Sequence, residues 1–153
     1  WIQGIIAQLE MEGYARSVKI KIGSTDVYMY IYSKSIWDED AQNFEQDSVF
    51  IFQPGNGAVN SEIPGYENEL ESRPWAKANP SAVYIADGVT GIGSHAFDTI
   101  STLNKLEIED PASLTYVGDH AFQNCNKLTG PIDLSGVTNI GEAVFMAAAV
   151  CKK

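Results

Sequence analysis

The two histidines of this 153-residue chain stand in nearly identical surroundings, GSHAF at residues 93–97 and GDHAF at residues 118–122. At equivalent positions of adjacent repeats, two imidazoles would lie about 5 to 10 Å apart, near enough to approach one metal ion. Zinc takes three or four protein ligands, and the spacing fixes none besides His95 and His120. The next equivalent position holds Ala143. We therefore expect a tolerated, partly exposed repeat position, and neither a metal site nor a catalytic site.

The other groups that could do chemistry lack the partners that such chemistry needs. Cys125 and Cys151 do not have the spacing of a zinc motif. A single disulfide between them is compatible with the sequence. We expect Cys125 to be a small buried apolar residue. The EF-hand spacing for calcium is absent from a group of four carboxylates: Asp38, Glu39, Asp40 and Asp47. Phosphate loops, dinucleotide fingerprints and Gly-x-Ser-x-Gly do not occur. We predict no enzyme, no cofactor and no metal.

The charge balance excludes two classes of partner. Twenty acidic residues against ten basic ones give a formal net charge of −10. Nucleic acids and anionic membranes require clustered lysine and arginine, and no such cluster occurs apart from Lys152–Lys153. No apolar run approaches the ~20 residues of a membrane span. The chain begins with Trp1 and not with Met, so we expect a mature or trimmed fragment from which any export signal has been removed.

Residues 1–48 are predicted to form a helix followed by a β-hairpin. The helix follows from the i, i+3, i+4, i+7 spacing of Ile2, Ile5, Ile6 and Leu9. In the hairpin, aliphatic residues alternate with Lys19 and Lys21 on one strand. On the other strand they alternate with Tyr28, Tyr30 and Tyr32, and a turn at Gly23–Asp26 joins the two. Residues 37–47 are a polar, acidic stretch. We expect the lysines to pack on the three tyrosines.

Residues 49–80 are predicted to contain a buried strand, VFIF at 49–52, and a long irregular connection. Residues 81–153 then repeat three times, and the phenylalanines Phe97, Phe122 and Phe145 are spaced by 25 and 23 residues. A glycine stands four residues before each of these phenylalanines, at 93, 118 and 141. A period of 20–29 residues with recurring aliphatics is typical of a leucine-rich solenoid, in which each unit buries its apolar side against its neighbours. The glycines would permit a positive φ or a close backbone approach, and the phenylalanines would stack in a column.

The pattern Ile-Gly-x-x-Ala-Phe, followed by Asn-Cys and a Leu, resembles the BspA-type leucine-rich repeats of bacterial surface proteins. The segment AFQNCNKLTG at 121–130 matches this pattern most closely. The segment VFIFQPGNGAV is similar to the strand and turn that precede such repeats. The resemblance covers about residues 49–150, and the third repeat departs from it by having Val144 in place of Ala. It implies a short, strand-rich α/β leucine-rich-repeat solenoid with an N-terminal α/β or β cap.

Two sets of residues are candidates for binding a ligand. Period-two alternation turns Tyr84 outward when Val83 and Ile85 point inward, and the equivalent residues of the next repeats are Glu107 and Asp133. These would form a ladder on the concave sheet, the usual binding face of such arrays, and would suit a basic or sugar partner. The second set is the tyrosine hairpin, since flat rings with hydroxyl groups suit carbohydrates. It comprises Tyr28, Tyr30 and Tyr32.

The resemblance implies a secreted or cell-surface module of the adhesion type that binds a host or envelope protein without catalysis. Carbohydrate or cell-wall glycan binding through the tyrosine hairpin is the alternative. The repeats end in the apolar residues 146–150 without a polar cap. This favours self-association through that end, or a longer parent chain.

Overall fold

The structure is a computed structural model that describes residues 1–22, 26–55, 61–66, 75, 78–148 and 151–152. The predicted turn residues Gly23, Ser24 and Thr25 lie outside these ranges. The described residues form one helix and eleven strands: α1 Ile2–Met11, β1 Ala15–Lys21, β2 Val27–Asp38, β3 Asn43–Pro54, β4 Glu62–Ile63, β5 Pro80–Ile85, β6 Gly91–Ile92, β7 Lys105–Ile108, β8 Tyr116–Val117, β9 Pro131–Ile132, β10 Asn139–Ile140 and β11 Cys151–Lys152.

A five-stranded sheet runs through the first part of the molecule in the order β1-β2-β3-β5-β7. The first three strands are antiparallel, whereas β3, β5 and β7 run parallel to one another. The predicted strand at residues 49–52 is confirmed as part of β3, which lies beside the first repeat strand. Since β3 begins at Asn43, one continuous sheet crosses the boundary predicted between residues 48 and 49.

The repeats form a second, parallel sheet from short strands in the order β10-β8-β6-β4. Ile63, Ile92, Val117 and Ile140 occupy equivalent register positions in it. Residues 92, 117 and 140 each stand directly before one of the three repeat glycines, so their equivalence agrees with the period predicted from those glycines. Ile63 was not foreseen, because β4 lies inside the connection that we expected to be irregular. Ile63 therefore belongs to an additional repeat-like segment that precedes the first predicted repeat.

The core lies between the two sheets and contains the predicted phenylalanine column. Phe97 stacks on Phe122 with ring centroids 5.3 Å apart, and Phe122 stacks on Phe145 at 5.5 Å. Trp75 continues the column by stacking on Phe97 at 5.7 Å. Phe97 and Phe122 are 0% and 1% exposed. Burying one such side chain contributes about 1.5–3 kcal/mol.

The repeat glycines are needed for close approach of the backbone. An added Cβ on Gly118 would lie 2.5 Å from the backbone nitrogen of Ser94, and one on Gly93 would lie 2.1 Å from that of Gly65. Neither glycine has a positive φ. Of the two reasons that the sequence left open, steric room for the neighbouring backbone is therefore the one that applies.

Helix α1 packs on the other face of the five-stranded sheet and builds a second, smaller core. Leu9 is 6% exposed and, with Ile2, Ile5 and Ile6, contacts Tyr32, Val49, Ile51, Ala82 and Tyr84. The residues that predicted the helix by their spacing thus face the sheet. Behind the helix, Tyr14 donates a hydrogen bond to Asp47 of β3. Burial and this bond raise the pKa of Tyr14, and the bond ties the segment that follows α1 to β3.

Candidate functional site

The alternation predicted for the repeat strands is correct in direction. Val83 and Ile85 are fully buried in the main core, and Tyr84 points to the opposite face. Tyr84 and Glu107 are direct neighbours in the pairing of β5 with β7. Glu107 is exposed and Asp133, the next equivalent residue, is partly buried.

Tyr84 is not exposed, which corrects the expectation of an open ladder. Tyr84 is only 9% exposed, because α1 lies across this part of the sheet. The Trp1 ring packs edge-on against it with centroids 6.0 Å apart, and the Lys105 ammonium lies 5.4 Å from the ring centre. Trp1 and Lys105 are therefore exposed on this face where the sequence predicted Tyr84.

Glu107 and Asp133 do come together in one groove. The groove has a volume of about 360 Å³, lies between β7 and β9, and includes Trp1 in its lining. Trp1 is 44% exposed. Lys105 lies 3.5 Å from the Glu107 carboxylate, and its hydrogen bond to Tyr84 and the charge of Glu107 raise its pKa. The Asp133 carboxylate accepts a hydrogen bond of 3.0 Å from the backbone N–H of Ser135, which fixes its position.

Trp1 is the residue of this groove that the sequence interpretation missed. The apolar face of the predicted helix indicates that the helix packs on a neighbouring element, since a helix with one apolar face must bury that face. The pattern does not reveal, however, which strands the helix crosses.

The tyrosine hairpin is only partly accessible. Tyr28 and Tyr30 are half-buried, and Tyr32 is 4% exposed beneath α1. The Lys19 ammonium lies 5.3 Å from the Tyr28 ring centre and 5.6 Å from that of Tyr30, so the predicted packing of Lys19 on the tyrosines is confirmed. Burial raises the pKa of Tyr32. An open ladder of three rings, as a sugar platform would need, is therefore not formed.

The histidine pair stacks face to face. The ring centroids of His95 and His120 are 4.9 Å apart and the planes differ by 15°. His95 Nδ1 lies 2.7 Å from the carboxylate of Asp98, which is itself 3% exposed. In the described ranges, no three His, Cys, Asp or Glu side chains are grouped as a metal site would require. Both histidines have a left-handed backbone, with φ of 57° and 56°.

Cys125 is fully buried, as its repeat position predicted. Its Sγ donates a hydrogen bond of 3.0 Å to the carbonyl of Phe97 in the preceding repeat. The thiol thus joins two repeats and has no access to a substrate.

A family comparison accounts for this arrangement. The family described as "BspA type Leucine rich repeat region (6 copies)" matches residues 60–152. The chain belongs to the BspA-type leucine-rich repeat family. The match begins before the first repeat that we predicted and includes Ile63 of β4, which the structure aligns with the later repeats. A comparison with curated protein sequences finds no match.

A solved structure shows the same type of fold for this BspA-type chain. A leucine-rich repeat protein from Eubacterium ventriosum superimposes with a TM-score of 0.64 at 20% identity, over 89% of this chain. This chain spans only 31% of that protein. A leucine-rich repeat protein from Bacteroides capillosus matches with a TM-score of 0.49 at 18% identity, over 90% of this chain and 99% of that one. The fold is thus a strand-rich leucine-rich-repeat fold, and a solenoid with an N-terminal cap stays a prediction.

Two further expectations can be compared with the BspA-type structure. Met146 is 50% exposed at the end of the repeats, and Ala149 and Val150 of the same apolar segment lie outside the described residues. Self-association through this end stays a prediction. Within the described part of the chain, no helix is long and apolar enough to cross a membrane.

Proposed function

We propose that this chain is a non-enzymatic, adhesion-type module, secreted or held at the cell surface, that binds a protein partner through the groove between β7 and β9. The observation that carries the proposal is the convergence of Trp1, Glu107 and Asp133 on this groove. Family membership supports it, because leucine-rich repeats are generally non-enzymatic scaffolds, and BspA-type proteins are typically surface or secreted proteins.

The composition of the groove favours a partner with a basic side chain. A half-exposed indole next to two carboxylates offers an apolar contact, a cation–π contact and charge pairing to one arginine or lysine. Tryptophan is among the residues that most often dominate the binding free energy of an interface. The net charge of −10 adds long-range attraction for a basic surface.

Glycan binding through the tyrosine hairpin has weaker support. Tyr32 would have to lose its cover by α1 before all three rings could face a sugar. Tyr28 and Tyr30 remain as a two-ring surface that already carries Lys19. A glycan array with the wild-type protein and Tyr30→Ala tests this alternative, and absence of any glycan signal removes it.

The proposal is tested by neutralising the groove without changing its shape. The double variant Glu107→Gln/Asp133→Asn keeps the size of both side chains, and the amide introduced at position 133 still offers an oxygen to the Ser135 N–H. We expect pull-downs from host and envelope extracts to recover a partner with the wild type and about tenfold less of it with this variant. Trp1→Ala should have a similar effect.

The matched control neutralises two exposed carboxylates elsewhere, Glu62→Gln/Glu142→Gln, and should retain the partner. Equal recovery with the groove variant and with this control would exclude the groove as the binding surface. Circular dichroism of all variants shows whether each one is folded.

A further inference from the structure

The long hairpin of β2 and β3 extends beyond the rest of the sheet. The pairing of β1 with β2 ends at Ser33, and that of β5 with β3 ends at Ser48. Residues 34–38 and 43–47 pair only with each other, in five register pairs. At about 3.4 Å per residue, this segment, here called the arm (residues 34–47), extends roughly 17 Å past the sheet. Its outer backbone edges have no neighbouring strand among the described elements.

The arm exposes a pair of aromatic side chains. Trp37 and Phe44 are cross-strand partners, with ring centroids 5.0 Å apart in an edge-to-face arrangement. They are 44% and 68% exposed. By the two-residue alternation they share the face that carries Ile31 and Phe50 deeper in the sheet, where those residues are core. The core face of the sheet thus continues into solvent, which is characteristic of an interaction surface.

The arm is also strongly acidic. Its side chains include five carboxylates against one cation, Lys34, which gives a formal charge of −4. Asp38 and Glu45 lie side by side on the two strands. The backbone N–H of Ala41 lowers the pKa of Asp38, and the hydrogen bond with Asp38 raises the pKa of Glu45. Two adjacent carboxylates repel each other, and a partner's ammonium or guanidinium between them would relieve that repulsion.

A groove runs from the base of the arm along the loops that precede the repeat strands. Its volume is about 870 Å³, within the range of ligand-binding clefts. Ser33 and Ser48 at its floor are hydrogen-bonded to each other at 3.2 Å. Its rim includes the exposed amide side chains of Gln46, Asn79 and Asn104. Amide side chains both donate and accept, and can therefore pair with the backbone of an extended peptide.

We propose that the arm and this groove bind an extended, basic peptide segment of a protein partner. By the same alternation Asp38 and Glu45 lie on the face of the arm opposite to Trp37 and Phe44. Successive side chains of an extended segment along the arm edge therefore reach both faces: an apolar one packs on Trp37 and Phe44, and its lysine or arginine neighbours pair with Asp38 and Glu45. The backbone of the segment lies along the amide rim. Strand-edge and groove recognition of this kind derives affinity from backbone hydrogen bonds and specificity from alternate side chains. A second copy of this chain is a poor occupant, because two arms would bring ten carboxylates together.

A defined probe tests the proposal, a fluorescein-labelled octapeptide that alternates lysine and leucine. We expect fluorescence anisotropy to show binding to the wild type that weakens as salt rises. Trp37→Ala/Phe44→Ala should weaken it about tenfold or more. Asp38→Asn/Glu45→Gln should weaken it and reduce its salt dependence. The same octapeptide with glutamate in place of lysine should not bind.

Control variants remove similar groups elsewhere. Met11→Ala deletes an exposed apolar side chain, and Glu62→Gln/Glu142→Gln removes two exposed charges, so both should bind the peptide like the wild type.

In ¹⁵N–¹H spectra the peptide should shift the amides of residues 34–47, 79 and 104. Unchanged affinity of Trp37→Ala/Phe44→Ala, or shifts confined to residues 105–109 and 131–133, would refute the proposal. So would tighter binding of cellohexaose than of the peptide, or dimerisation through the arm in light scattering. The substitutions in the arm leave the lining of the groove between β7 and β9 unchanged, so the two proposals fail separately.

Discussion

At the scale of single residues, the histidine slot is defined by its backbone. His95, His120 and Ala143 occupy equivalent positions, and all three have φ between 52° and 57°. The left-handed region costs an L-residue about 1–2 kcal/mol, and glycine avoids most of this cost. The repeat therefore selects for conformation here and tolerates different side chains, which explains how two histidines and an alanine share one position.

This conformation predicts that Ala143→Gly stabilises the protein. Relief of the left-handed strain should exceed the greater freedom of glycine in the unfolded chain, giving a gain of about 0.5–1 kcal/mol in the free energy of unfolding. Ala112→Gly is the control, because Ala112 is exposed in a turn and has no positive φ. It should lose about 0.5–1 kcal/mol. Urea unfolding measures both, and equal losses at the two positions would show that residue 143 is not in the left-handed region.

At the scale of elements, periodicity predicted the elements but not always their surroundings. The spacing of Ile2, Ile5, Ile6 and Leu9 predicted α1, and the recurrence of Phe97, Phe122 and Phe145 predicted the column. The arm was missed because its exposed strands are rich in acidic and amide residues, which are poor strand formers. Burial of Tyr84 was missed because alternation determines the direction of a side chain and not what covers it.

The phenylalanine column should contribute more to stability than the exposed aromatic residues of the arm. Phe122→Ala removes a ring stacked on both sides, and is expected to cost about 3–5 kcal/mol. Phe44→Ala deletes the same atoms at a site that is 68% exposed, and should cost at most about 1 kcal/mol through its contact with Trp37. Chemical denaturation compares them. If the two variants lose similar stability, the column is not the centre of the core.

At the scale of the whole molecule, the N-terminal part and the repeats share one sheet and one core. Residues 22, 27, 29 and 31 of the N-terminal part are buried in the same cluster as Phe97 and Phe122. The boundary predicted between residues 48 and 49 lies where the resemblance to the repeat family begins. Pairing between distant strands has no signature in such a resemblance, so the continuation of β3 across that boundary, paired with β2, was not predictable.

This continuity predicts how shortened chains behave. A fragment of residues 43–153 lacks Ile22, Val27, Met29 and Ile31, so it leaves Phe50 and Phe52 without part of their packing and exposes the inner edge of β3. We expect it to lose cooperative urea unfolding and to bind the dye ANS. A fragment of residues 12–153 lacks only α1, so its main core is intact. It should unfold cooperatively at a lower urea concentration than the full chain, since only the smaller core is lost. Cooperative unfolding of 43–153 at the midpoint of the full chain would instead show that the repeats fold independently of the hairpin.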